Sequence, residues 1–130
     1  MPRMAESAGK KPTDAELAIL RVLWARGPST VREVAREMGR ESAYTTILKL
    51  LQIMTGKGLV RRDDSPRTHV YEATWTEGET QRQLVTELLE RVFDGSASKL
   101  VMQALAAKKT SRKELAEIRK LLDRQRGGRR

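Results

Sequence analysis

Residues 42–73 read SAYTTILKLLQIMTGKGLVRRDDSPRTHVYEA, and this stretch decides the fold of the chain. Its first half has apolar residues at the three- and four-residue spacing of an amphipathic helix. We therefore predict a helix from about Ala43 to Lys57, with Ser42 as its N-terminal cap and Gly58 as its stop. The residues predicted to face the core are Ile47, Leu50, Leu51 and Met54.

The second half of this stretch predicts a β-hairpin. Two short runs with strand-forming residues, 59–62 and 68–73, are separated by a turn segment, 63–67, that contains a proline. Arginine residues flank the turn, and a hairpin tipped with arginine can reach a minor groove or a phosphate backbone. The alternative is a solvated hairpin whose arginines only pair with Asp63 and Asp64.

Two further helices are predicted upstream of this stretch. Thr13 and Glu16 have the T-x-x-E spacing of a capping box, in which each side chain bonds the other residue's backbone N–H. Thr30 and Glu33 repeat the pattern at the start of the second helix. The order helix, helix, helix, hairpin predicts a winged helix-turn-helix domain over residues 13–75, so the fold class is mainly α with a small β-hairpin.

The outer side of the third helix suits the major groove of DNA. Thr45, Lys49 and Gln52 follow one another at four- and three-residue spacing, with Gly56 one turn further on. Short side chains permit close approach, a lysine neutralises phosphate, and Thr and Gln can bond base edges. Periodicity alone is equally compatible with an ordinary solvated face.

Composition restricts the classes of function. The chain has 130 residues and a net charge of +9, which favours nucleic acid first and an anionic membrane surface second as partners. With no Cys and one His, disulfides, thiolate metal sites, a Cys nucleophile and a multi-histidine metal site are excluded, and no cofactor is expected. Residues 1–12 lack the apolar stretch that is typical of a signal peptide, and no apolar run approaches the ~18 residues of a membrane span. We therefore expect a cytoplasmic protein that is not an enzyme and does not insert into a membrane.

The remaining sequence predicts a helical dimerisation region at 76–123, between a disordered basic arm at 1–12 and a basic tail at 124–130. This region contains three helices, the middle one at about 97–107, whose apolar faces are too small to be buried among themselves. Pairing with the same region of a second chain is the economical solution, and packing back on the winged helix is the alternative. The residues predicted to form the homodimer interface are Leu84, Leu88, Leu100, Leu105, Leu115, Ile118 and Leu122.

The chain resembles the penicillinase repressor family of the BlaI, MecI and CopY type. The resemblance covers residues 12–123 and is carried by TDAELAILRVLW, TVREVAREM, AYTTILKLLQIMTGKGLV and THVYEA. It implies a dimeric transcriptional repressor that places one recognition helix per chain in successive major grooves of a double-stranded DNA operator. It also implies control of antibiotic-resistance or other stress genes. The positions that the resemblance assigns to DNA are Ala43, Tyr44, Thr45, Thr46 and Lys49 in the helix and Arg61, Arg62 and Arg67 in the wing.

The chain departs from this family in the residues that receive the inducing signal. The Cys residues of the copper-responsive branch are absent, so copper sensing is excluded. The antibiotic-responsive branch is inactivated by cleavage of an Asn–Phe bond in the fifth helix, whereas this chain has no Asn and its only Phe is Phe93, one helix earlier. Relief by a membrane metallopeptidase or another protease therefore stays a hypothesis, and so does the alternative of a winged helix that binds protein instead of DNA.

Overall fold

The predicted fold class, mainly α with a small β-hairpin, is confirmed. The computed structural model describes residues 11–65 and 67–128, so most of the predicted N-terminal arm lies outside the described residues. The elements in chain order are α1 (Asp14–Arg26), α2 (Val31–Glu37), a 3-10 turn (Glu41–Ala43), α3 (Tyr44–Lys57), β1 (Val60–Asp63), β2 (Val70–Ala73), α4 (Glu77–Val92), α5 (Ala97–Ala107) and α6 (Arg112–Gly128).

Helices α1 and α2 begin at the predicted capping boxes. The backbone N–H of Glu16 donates to Thr13 Oγ1 at 3.2 Å, and the Thr13 N–H donates to Glu16 Oε1 at 2.9 Å. Thr30 and Glu33 form the same reciprocal pair at 3.1 and 2.9 Å. Each box satisfies backbone N–H groups that the first turn of a helix leaves free, so the local sequence sets where these helices start.

The start of α3 differs from the prediction. Ser42 lies inside the 3-10 turn, Ala43 occupies the N-cap position, and no side-chain hydrogen bond caps the helix. The chain enters α3 directly from the 3-10 turn, in which the Ala43 N–H donates to the Arg40 carbonyl at 2.8 Å, so Ser42 lies one residue before the cap position. The stop is as predicted, because Gly58 adopts a left-handed conformation with φ 81°.

One hydrophobic core joins α1, α2, α3 and the hairpin. The predicted core residues Ile47, Leu51 and Met54 of α3 are buried, whereas Leu50 is half-buried at the edge of the cluster. The other buried apolar residues are Ile19, Leu20, Leu23, Val31, Val34, Ala35, Leu59, Val60 and Tyr71. Because α3 contributes one side to this cluster, its opposite side is left facing solvent.

Backbone hydrogen bonds join the hairpin to the segment between α1 and α2. Strands β1 and β2 pair antiparallel, with Arg61 opposite Glu72 and Arg62 opposite Tyr71. Ser29 adds an isolated bridge, because its N–H donates to the Tyr71 carbonyl at 2.9 Å and its carbonyl accepts from the Tyr71 N–H at 2.8 Å. A single bridging residue leaves no pattern in the sequence, and we did not predict it.

The C-terminal part of the chain forms a second compact unit, and the division falls between Glu87 and Leu88, within α4. Helix α5 spans the predicted residues, but its apolar side chains are not buried in the single chain: Leu100 is half-buried, and Val101 and Leu105 are exposed. Helix α6 continues to Gly128, so the start of the predicted basic tail is helical. Arginine and glutamine are good helix formers, which explains the extension.

Candidate nucleic-acid interface

The outer side of α3 is a solvent-exposed surface without any acidic residue. Thr45, Thr46, Lys49 and Gln52 are all exposed there, as the spacing predicted. Ile53 joins them with 44% of its surface exposed, although an isoleucine in the middle of a helix is usually read as a core residue. Its helical phase, seven residues after Thr46, is the signal that places it on this side.

The two residues at the start of α3 have different surroundings. Ala43 is half-buried and packs against the core, so its side chain is turned away from the exposed surface of α3. Tyr44 is 41% exposed, and the guanidinium carbon of Arg32 lies 5.9 Å from the centre of its ring. This cation–π contact joins α2 to the first turn of α3.

A groove of about 630 Å³ lies between α2, α3 and the hairpin, and we call it the wing groove. The charged side chains and the histidine that line it are Arg32, Glu33, Arg36, Arg62, Arg67 and His69. The Glu33 carboxylate pairs with Arg26 at 3.1 Å, and the Thr30 N–H and the charge of Arg26 hold its pKa below the ordinary value. Arg36 and Arg62 likewise pair with Glu41 and Asp64, which do not line the groove. The excess positive charge of the wing groove therefore comes from Arg32 and Arg67, to which the described structure gives no ion pair.

The structure does not bring the three wing arginines together. Arg62 lines the wing groove and pairs with Asp64 at 2.8 Å. Arg67 lines the same groove, is exposed, and has no ion pair among residues 11–65 and 67–128. Arg61 points to the other face of the hairpin, where it pairs with Glu72 at 3.6 Å. It lines a separate groove of about 440 Å³ beside Trp24 and Trp75.

The C-terminal end of α3 is anchored by an ion pair that sequence reasoning missed. Lys57 Nζ lies 2.7 Å from Glu16 Oε1, and only 2% of the Glu16 surface is exposed. Burial acts to raise the pKa of the Glu16 carboxyl, but hydrogen bonds from Lys57 and the Thr13 backbone and the charge of Lys57 outweigh it and lower the pKa. One carboxylate therefore both caps α1 and holds the last residue of α3.

The family model described as "Penicillinase repressor" matches residues 12–124, which is nearly all of the chain. The chain belongs to the penicillinase repressor family. It is therefore a DNA-binding transcriptional repressor and not an enzyme.

Two curated proteins and one solved structure are similar to this chain over most of its length. The penicillinase repressor of Bacillus licheniformis is 25% identical over 113 residues, which are 85% of this chain and 88% of that protein. The transcriptional regulator BlaI of Mycobacterium tuberculosis is 32% identical over 87 residues, which are 65% of this chain and 63% of that one. A solved transcriptional regulator from Thermotoga maritima covers 87% of this chain and 77% of its own, with a TM-score of 0.46 and 18% identity.

The residues predicted for repressor dimerisation lie on helices α4 to α6. Leu84, Leu100 and Ile118 are half-buried in the single chain. Leu88, Leu105, Leu115 and Leu122 are exposed by 44%, 39%, 42% and 61%. In the part of the chain that the structure describes, no helix is long and apolar enough to cross a membrane. Apart from Leu100 and Ile118, the large apolar side chains of α5 and α6 are exposed to solvent in the isolated repressor chain.

Proposed function

We propose that this repressor binds an inverted-repeat operator as a homodimer, with α3 in the major groove and the hairpin against the phosphate backbone. The observation that carries the proposal is the acid-free exposed side of α3 beside the positive wing groove. A sugar–phosphate strand that borders the major groove would enter the wing groove. Arg62 and Arg67 would then position the protein without reading bases.

Sequence preference is assigned to the side chains of α3 that are exposed together. Thr45, Thr46 and Lys49 lie on its N-terminal turns, which reach base edges first when a helix enters the major groove. Thr can bond a base edge, and Lys49 can reach guanine or phosphate. Ile53 has only methyl and methylene groups to offer, so it fits the 5-methyl group of thymine. Residues seven apart are separated by about 10.5 Å along the axis, so Thr46 and Ile53 meet different base pairs.

Dimerisation is proposed from the apolar surface of the C-terminal unit. The side chains of Met102, Leu121 and Leu122 are more than half exposed, at 67%, 52% and 61%. Exposed apolar area of this kind is buried most simply by the same surface of a second copy. Two recognition helices related by a twofold axis require half-sites about one helical turn, roughly 10 base pairs, apart.

We propose that a protease can relieve repression only if its cleavage specificity differs from that of the family's protease. The bond that matches the family's cleavage site by position lies near Gln103 and Ala104, and both residues are exposed in α5 of the single chain. Neither is the Asn or the Phe that the family's protease recognises. A membrane metallopeptidase that cleaves this bond would need a different recognition pocket. We propose separately that the repressor controls genes of antibiotic resistance or envelope stress.

A binding titration on the DNA upstream of this gene tests the proposed function. We expect a dimer to bind that DNA at least 10³-fold more tightly than a random duplex at physiological salt, as specific binders do. Hydroxyl-radical footprinting should show two protected half-sites related by a twofold axis. Equal affinity for both DNAs on every upstream fragment would contradict sequence-specific binding.

A further inference from the structure

The C-terminal unit carries a larger net positive charge than the winged-helix unit. Residues 88–128 contain ten Lys and Arg against five Asp and Glu, a net charge of +5. Residues 11–87 contain twelve against eleven, a net charge of +1. The unit that holds the recognition helix is thus nearly neutral, so most of the attraction for a polyanion is located elsewhere in the chain.

The two units also differ in how their cations are paired. In the winged-helix unit, Arg26, Arg36, Lys57, Arg61 and Arg62 each lie within 4.0 Å of a carboxylate oxygen. In residues 88–128, by contrast, the ten cations are all exposed, and the described structure gives none of them an ion pair. Unpaired cations keep their full field and their counterions, and counterion release is what drives binding to phosphate.

Helix α6 arranges part of this charge in one row. Lys113, Lys120 and Arg124 are spaced seven and four residues apart, so they project from the same side. That side is opposite to the Leu115 and Leu122 side of the helix. The row is about 16 Å long, and a DNA duplex carries one negative charge per roughly 1.7 Å of its axis. Glu117 is the acid on this side, and it leaves the row with an excess of positive charge.

We infer that this row of α6 is a second DNA-contact surface, which binds the phosphate backbone without regard to sequence. The inference rests on the proposed function, since the repressor dimer is what brings α6 and DNA into one complex. Because the row lies opposite the leucines, it stays in solvent when a second copy covers them. The partner is DNA because α6 belongs to the same chain as the winged-helix unit, and a covalent link to a DNA-bound unit raises the effective concentration of phosphates for α6.

Two paired-charge variants of the full chain test the inference. Lys120→Gln with Arg124→Gln removes two cations from the row, and Arg21→Gln with Arg82→Gln removes two exposed cations from the winged-helix unit. For random duplex DNA, the first variant should flatten the plot of log affinity against log salt by about 0.9 per lost contact, and the second should leave it unchanged. Light scattering should show that both stay dimers.

Three outcomes would overturn the inference. An unchanged salt slope in the α6 variant would show that the row does not touch DNA. An equal change in both variants would show that net charge alone matters. If the wild type binds phosphatidylserine vesicles and the α6 variant does not, while their salt slopes on DNA are equal, the row binds membranes instead of DNA. In each case the preference for operator over random DNA would remain, so the proposed function would stand.

Discussion

The ammonium group of Lys57, the last residue of α3, lies 2.7 Å from the carboxylate of Glu16 in the first turn of α1. The two residues are 41 positions apart in sequence. The same carboxylate accepts the Thr13 N–H, so the start of α1 and the end of the recognition helix share one buried group. This pair fixes the C-terminal end of α3 on α1.

Loss of the Glu16 carboxylate should change the acid stability of the protein. Its pKa is below the ordinary value of 4.5, so its ionised form stabilises the fold fully above about pH 4.5, and this contribution is lost as the pH falls through the lowered pKa. Glu16→Gln should therefore flatten the decline of the free energy of unfolding below that pH. Urea unfolding at several pH values between about 3 and 7 measures this pH dependence of the free energy of unfolding. Glu37→Gln, at an exposed position, is the matched control, and equal acid profiles for wild type and Glu16→Gln would contradict the role.

Shortening the polar side chains of α3 should reduce operator affinity selectively. Thr46→Ala or Lys49→Ala is expected to cost about 1–3 kcal/mol on the operator and less on random DNA, because base contacts are lost. Fluorescence anisotropy on both duplexes measures the two losses. Arg21→Ala removes an exposed cation from α1 and should change neither affinity. Equal losses on both duplexes, with the fold intact by circular dichroism, would mean that specificity lies elsewhere.

Ile53 should make the repressor sensitive to thymine methyl groups. Replacing operator thymines one at a time by uracil removes the 5-methyl group and leaves the hydrogen-bonding edge unchanged. At one position per half-site, wild type should lose affinity on this change and Ile53→Ala should not. If Ile53→Ala is as sensitive to uracil as wild type at every position, Ile53 does not read a methyl group.

Arg67 and Arg61 should behave differently, since the structure places them on opposite faces of the hairpin. Arg67→Ala should weaken binding to operator and random DNA alike and lower the salt slope by about 0.9, as expected for one lost phosphate contact. Arg61→Ala is the matched control and should have a smaller effect, because Arg61 lies outside the wing groove. A larger effect at Arg61 than at Arg67 would place the DNA on the other face of the hairpin.

Charges placed on the apolar side of α6 should separate the dimer. Leu115→Asp with Ile118→Asp would bury carboxylates in the proposed interface, so a monomer with a folded winged-helix unit is expected. Light scattering measures the mass, and near-ultraviolet circular dichroism of the two Trp residues in the winged-helix unit reports its fold. Lys120→Asp, on the opposite side of α6, should stay dimeric. A dimeric Leu115→Asp, Ile118→Asp variant would locate the interface elsewhere.

Sequence alone determined the elements of this protein and their order. The capping boxes at Thr13 and Thr30 and the left-handed Gly58 depend on residues within one helical turn of one another, and such neighbours are adjacent in the sequence as well. The family motifs and the exposed stripe of α3 were also readable, because helical periodicity assigns each residue to a side.

Tertiary structure alone decided the contacts between those elements. The Lys57–Glu16 pair and the Ser29–Tyr71 bridge join residues that are distant in the chain. The wing groove is also formed by distant elements, namely α2, α3 and the hairpin, and Arg61 does not line it. Ser42 was predicted as a cap on local preference, but it lies inside the 3-10 turn that continues directly into α3, and Ala43 occupies the cap position. Such outcomes depend on how the apolar faces of α1, α2, α3 and the hairpin close on one core, and sequence neighbours carry no record of that packing.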